Sequence, residues 1–138
     1  MPWQAGATAC MKVILRAALF YLAITFSVAF VMGVLRTVVI APALGELPAV
    51  LIELPFLITL SWWVCGFVLK RWPVPATLPA RAGMGAIAFT LLLITEALLA
   101  LSLGGLSLTE HLARYATLPV MLGLAGQLAF AAFPMIRR

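Results

Sequence analysis

The chain has 138 residues, of which 65% are hydrophobic and only 9% are charged, and its formal net charge is +5. Soluble domains carry roughly 25% charged residues, so this composition excludes a soluble globular fold. The basic residues flank hydrophobic runs, where they act as topology signals, and this placement argues against nucleic acid as a partner. Membrane lipids are the expected surroundings of the chain.

Four hydrophobic runs, each long enough to supply the about 20 residues that cross a bilayer, predict an all-α integral membrane four-helix bundle. Two transmembrane helical hairpins would form it, within a single domain that covers residues 1–138. The predicted helices span residues 13–40, 48–69, 80–103 and 110–133. The first is expected to end at Ala41-Pro42, because the residue before a proline disfavours helical geometry, and the third at Gly104-Gly105.

The Lys and Arg residues predict the orientation of the chain. Seven of the nine flank the same ends of the predicted helices, namely Lys12, Arg16, Lys70, Arg71, Arg81, Arg137 and Arg138. Cytoplasmic loops of membrane proteins carry an excess of Lys and Arg, so these ends are expected in the cytoplasm. Both termini would then be cytoplasmic.

Two acidic and two basic side chains interrupt the opposite ends of the helices at matching depths. At 1.5 Å per residue, Arg36 and Glu53 each lie ~6 to 8 Å below the outer end of the first hairpin. Glu96 and Arg114 lie roughly 7 to 12 Å below the outer end of the second hairpin, with the signs exchanged. Because an unpaired charge near mid-membrane costs about 2.5 to 3.5 kcal/mol, we expect an Arg36–Glu53 pair and a Glu96–Arg114 pair.

Two prolines lie beside this charged layer. Pro55 follows Glu53 on the second predicted helix, and Pro119 follows Arg114 on the fourth. Each proline would free the backbone carbonyl four residues before it, which for Pro119 is that of Tyr115. The pattern predicts polar backbone next to the charged side chains.

The charged layer has three interpretations. The ion pairs could only fix the register of the hairpins, the cluster could bind an ion, a proton, a lipid headgroup or a small molecule, or it could contact a partner protein. In the second interpretation Glu53 and Glu96 are favoured, because a carboxylate exchanges protons whereas Arg36 and Arg114 stay charged and would tune it or hold an anion. Secondary candidates near the same end are Glu46, Glu110, His111 and Tyr115.

Other kinds of site lack a pattern in this sequence. Two cysteines and a single histidine make no zinc motif, so no metal is expected. No catalytic triad or phosphate-binding glycine loop is present, so neither catalytic residues nor a cofactor are predicted. A role without catalysis is therefore favoured over an enzymatic one.

Six short strings carry a family resemblance: GVLR at 33–36, APALGE at 41–46, ELP at 53–55, SW at 61–62, EH at 110–111 and GLAGQ at 123–127. Together they resemble a family of small uncharacterised bacterial inner-membrane proteins with four predicted spans. The resemblance implies a multi-pass protein of the bacterial inner (cytoplasmic) membrane, and it implies no activity.

The expected function is that of a small transport or permeation-like protein whose outer charged layer binds an ion, a proton or a small ligand. Four short helices enclose little space, so transport favours a homo-oligomer or a larger membrane complex. Two other functions stay open: an accessory or structural subunit of a larger complex, and a lipid-handling membrane enzyme that uses Glu53 or Glu96 as acid or base. A water-accessible cavity at the carboxylates would favour transport over the accessory role.

Overall fold

A computed structural model describes residues 2–137 of the chain and the side chains of residues 6–137. Within that range the protein is helical and contains no strand. The helices are α1 (Pro2–Leu35), α2 (Ala41–Leu44), α3 (Glu46–Arg71), α4 (Leu78–Ser102), α5 (Leu108–Ala113) and α6 (Leu118–Ile136). Arg138, one of the seven flanking cations, lies outside the described residues.

Four helical stretches within the described residues are long and apolar enough to cross a membrane. They are Gly6–Leu44, Glu46–Arg71, Leu78–Ser102 and Leu118–Ile136. Length and apolar composition are the two requirements for a helix that satisfies its backbone hydrogen bonds inside lipid. The chain therefore has the architecture of a multi-pass membrane protein.

The first helical stretch differs from its prediction at both ends. It begins at Pro2 rather than near residue 13, since proline is tolerated in a first turn and the following alanines favour a helix. It also continues past Ala41-Pro42, through a π-helical segment at Arg36–Ile40, and ends at Gly45 with φ 92°. The wider π turn, in which the Ala41 N–H donates to the Arg36 carbonyl, accommodates a proline that an α-helical register would exclude.

Helices α3 and α4 lie close to their predicted positions, each slightly extended at the start. Helix α3 begins directly after Gly45 and keeps Pro55 in its interior. The Thr59 hydroxyl donates to the Pro55 carbonyl at 2.8 Å, the ordinary bond of a helical threonine to the carbonyl four residues before it. Helix α4 ends beside Gly105, whose φ of 66° is a conformation that glycine adopts without strain.

The predicted fourth helix, 110–133, is not continuous, and this prediction was wrong. Helix α5 is followed by a 3-10 turn at Arg114–Ala116 and an extended residue, Thr117, before α6 begins. The cause is Pro119, which lacks an N–H and would clash with the Tyr115 carbonyl in an unbroken helix. In the observed structure Pro119 lies in the first turn of α6, where no donor is needed.

Seen along the bundle axis, the four long helices lie at the corners of a square. Helices α1 and α6 each contact both α3 and α4, so the order around the bundle is α1, α3, α6, α4. We call the end that carries residues 72–77 the packed half and the end that carries Gly45 and Gly105 the hollow half. The buried apolar cluster lies in the packed half and includes Ala17, Val68 and Met84.

Tyr21 joins opposite corners of this square at the boundary between the halves. Its ring is fully buried and stacks on Phe130 of α6 with centroids 4.1 Å apart. Its hydroxyl donates a 2.6 Å hydrogen bond to the Phe130 carbonyl, so the polar end of the side chain is satisfied. Tyr21 and Phe130 therefore close the centre of the bundle below the hollow half.

Candidate functional site

The hollow half encloses a cavity of about 710 Å³. Residues of the four long helices, the π-helical segment and the α5 region line it. Its floor is apolar and includes Leu92 and Phe130, whereas ionisable side chains line its upper part. The ionisable residues that line it are Arg36, Glu46, Glu53, Glu96, His111, Arg114 and Tyr115.

Arg36 and Glu53 form the predicted ion pair. Arg36 Nε lies 2.6 Å from Glu53 Oε2, and the two side chains are 27% and 9% exposed. Arg36 is the first residue of the π-helical segment, and Glu53 lies two turns into α3, so the Gly45 turn brings them to the same depth. Burying a carboxylate is costly unless a cation compensates it, and Arg36 supplies that compensation.

The predicted Glu96–Arg114 pair is absent, and this prediction was wrong. Glu96 instead accepts a 2.5 Å hydrogen bond from Gln127 Nε2 on α6. Arg114 lies in the 3-10 turn before Thr117, outside the membrane-spanning helix on which its depth was counted. The break that Pro119 imposes has therefore separated Arg114 from Glu96.

Arg114 instead faces the mouth of the cavity. Its Nη2 lies 3.9 Å from Glu46 Oε1, and the two side chains are 51% and 52% exposed. An ion pair this long and this exposed contributes little to stability, because water and salt screen it. The contact between Glu46 and Arg114 therefore does little to hold the helices together.

The secondary candidates separate into two groups. His111 and Tyr115 line the cavity and contact each other edge to face, with ring centroids 5.5 Å apart. Burial raises the pKa of the Tyr115 phenol above its ordinary value, and the nearby Glu96 carboxylate acts in the same direction. Glu110 is not among the cavity-lining residues: its N–H donates to Ser107 Oγ, which caps α5.

Four buried polar atoms of cavity-lining residues have no hydrogen-bond partner within the described structure. One is Arg36 Nε, whose close contact with Glu53 is an ion pair, and the others are Thr25 Oγ1, His111 Nδ1 and Gln127 Oε1. Buried polar groups are normally satisfied, so each of the last three lacks a partner that a water or a polar guest in the cavity wall would supply. Glu96 has a neutral hydrogen-bond partner, Gln127, and among the described residues no cation lies within ion-pair distance of its carboxylate.

Thr25 and Gln127 were not predicted as site residues. Gln127 interrupts an apolar run on α6, and an amide at that depth is the signal that could have identified it. The four-residue spacing of Gly123 and Gln127 is typical of a helix-packing contact, but Gly123 lines the cavity and a Cβ there would meet nothing within 4 Å. Among the described side chains, no group of three or more His, Cys, Asp and Glu could hold a metal ion.

Comparison with known proteins returns no match. No family model matches the chain, and no curated protein or solved structure is significantly similar to it. The resemblance to small bacterial inner-membrane proteins therefore stays a prediction from the six sequence strings.

Proposed function

We propose that this chain is a small transport or permeation-like membrane protein that binds an ion, a proton or a small ligand in the cavity of its hollow half. The observation that carries the proposal is the cavity itself, which touches Glu53 and Glu96. An accessory subunit that works only through its lipid-facing surface needs no such space. A mostly apolar cavity that a few ionisable side chains line is a common form of solute site in membrane proteins.

The two carboxylates in the cavity wall would have different roles. Glu53 is compensated by Arg36, so it would hold the wall of the cavity in a fixed geometry. Glu96 has only an amide donor, so it is the better group to bind a cation or to exchange a proton. Glu46 and Arg114 at the mouth would meet the solute first.

The proposed setting is the bacterial inner membrane, in which the chain is a single domain of two hairpins with both termini in the cytoplasm. The contacts of α1 with α3 and of α4 with α6 support the hairpins, and the excess of Lys and Arg in the packed half supports the orientation. The hollow half would then face away from the cytoplasm. Tyr21 and Phe130 close the bundle below this cavity, so a complete pathway favours a homo-oligomer or a larger complex.

Water access to the cavity can be tested with single cysteines. In a Cys10→Ala, Cys65→Ala background, Gly33→Cys and Gly123→Cys would each line the cavity without meeting a neighbour within 4 Å. Val31→Cys is the control, since Val31 lies on the same helix as Gly33 and is 65% exposed on the outside of the bundle. A charged thiol reagent should label the two cavity positions at least about tenfold faster, because only a wet thiol ionises. Equal, slow labelling at all three positions would contradict the proposal.

Transport itself can be tested in liposomes. We expect reconstituted protein to accelerate proton or monovalent-cation flux under an imposed diffusion potential, compared with protein-free liposomes. Glu96→Gln should abolish the acceleration while leaving the helical circular dichroism unchanged, because the amide cannot ionise. Glu110→Gln is the matched control, since Glu110 is not among the cavity-lining residues. If no cation flux exceeds that of empty liposomes, ion permeation by this chain alone is refuted.

A further inference from the structure

A second cavity lies in the packed half, at the opposite end of the molecule from the proposed solute site. Its volume is about 640 Å³, and its lining includes Trp62, Lys70, Arg81 and Arg137. Three of these four side chains are cationic. All four acidic side chains of the chain are at Glu46, Glu53, Glu96 and Glu110, in the hollow half.

Arg81 is a buried cation in the wall of this cavity. The residue is only 8% exposed, and its guanidinium donates four hydrogen bonds to backbone carbonyls. The acceptors are the carbonyls of Val74 and Pro75, in the connector between α3 and α4, and those of Pro134 and Arg137 at the end of α6. Carbonyl dipoles satisfy the donors but leave a net positive charge, which no acidic side chain of the chain neutralises.

Among the described residues, no carboxylate lies within ion-pair distance of Arg137 either. Its guanidinium lies over the Trp62 ring, 4.7 Å from the centroid, and 6.0 Å from that of Trp63. Gly66 makes this position available, because a Cβ at residue 66 would overlap the guanidinium. The aromatic face orients the cation, and its N–H groups remain free for an anion at the edge of the ring.

The position of the cavity along the helices indicates which kind of anion could bind there. It lies where α3 ends at Arg71 and α6 ends at Ile136, which is the level of the lipid headgroups for helices that span a bilayer. We propose that this cavity binds a phosphate group, either the phosphodiester of an anionic lipid or free inorganic phosphate. Lys70 and Arg137 contact its oxygens, Arg81 contributes charge from behind, and Trp62 flanks the site.

This site does not depend on the solute cavity, so the two proposals fail separately. The test is native mass spectrometry of the purified chain with equal amounts of phosphatidylglycerol and phosphatidylcholine, alongside calorimetric titration with inorganic phosphate. The test variant is Lys70→Gln with Arg137→Gln. The matched control is Lys12→Gln with Arg16→Gln, which removes the same charge at the same end from exposed residues that do not line the cavity.

The wild type should retain phosphatidylglycerol about tenfold more than phosphatidylcholine, because the choline cation offsets the phosphodiester charge and the three cationic side chains repel it. The test variant should lose that preference and the control variant should keep it. Phosphate binding without lipid preference would support the same site with free phosphate as its ligand. Equal losses in the two variants, or a wild type that binds neither anion, would overturn the proposal. Lys70→Gln alone changes an exposed side chain and reports the same effect if the double variant misfolds.

Discussion

The two halves of the bundle hold one arginine each by different partners. In the packed half, Arg81 binds four backbone carbonyls and joins the connector to the end of α6. In the hollow half, Arg36 pairs with the Glu53 carboxylate at the wall of a cavity. An arginine that binds carbonyls fixes backbone, whereas an arginine that binds a carboxylate leaves two charged groups whose contacts a solute can share.

The two halves also differ in how their small residues are packed. Small residues such as Ala17, Ala18 and Ala88 are fully buried in the packed half and let the helices approach closely. In the hollow half, Gly33 and Gly123 face open space instead. Small residues thus have two uses in one bundle: they close the packed half and widen the hollow half.

The largest expected effect comes from Arg81. Arg81→Gln should destabilise the protein by about 3 kcal/mol or more, because one amide cannot replace four charge-assisted donors. Thermal unfolding in detergent would measure it, with the exposed Arg16→Gln as the control. If both variants unfold at the same temperature, Arg81 does not hold the packed half together.

The next largest effect on stability is expected at Glu53, where two substitutions distinguish the contribution of charge from that of hydrogen bonding. Glu53→Leu should cost about 3 kcal/mol, because it leaves the partly buried Arg36 without a counter-charge, and Glu53→Gln should cost clearly less. Exchanging the partners, as Arg36→Glu with Glu53→Arg, should recover stability, since the net charge of the pair survives. Equal unfolding temperatures for the Leu and Gln variants would show that the pair adds nothing to the stability of the hollow half.

A smaller effect is expected where Glu96 meets Gln127. Gln127→Leu should destabilise by about 1 kcal/mol, the usual size of a hydrogen bond between membrane helices. A double-mutant cycle with Glu96→Gln should give a coupling energy of similar size. Strict additivity of the two substitutions would mean that this bond is not formed in the membrane.

The smallest effect is expected at the mouth of the cavity. Arg114→Gln should change stability by less than about 0.5 kcal/mol, because its ion pair with Glu46 is long and half exposed. The effect should shrink further at high salt. A loss as large as that of Glu53→Leu would show that Arg114 is a structural partner after all.

The sequence predicted the Arg36–Glu53 contact because both depths could be counted from a turn that Gly45 fixes. The same count failed for Arg114, since it assumed one continuous helix through a segment that Pro119 breaks at Thr117. The π-helical segment at Arg36–Ile40 was also unpredictable, because hydrophobic periodicity does not specify which carbonyl an N–H selects. The cavity and the Arg81 contacts depend on helices distant in sequence, which a single sequence does not place.

A pair of identical substitutions tests the division into two halves most directly. In the packed half, a Cβ on Gly85 would overlap the Ala131 carbonyl of α6, so Gly85→Ala should push α4 and α6 apart. In the hollow half, a Cβ on Gly123 would meet nothing within 4 Å, so Gly123→Ala should fit without strain. We predict that Gly85→Ala lowers the free energy of unfolding by about 2 kcal/mol, the usual cost of overpacking, while Gly123→Ala leaves it unchanged or raises it. Equal losses at the two positions would mean that the hollow half is packed as tightly as the other, and would contradict the account.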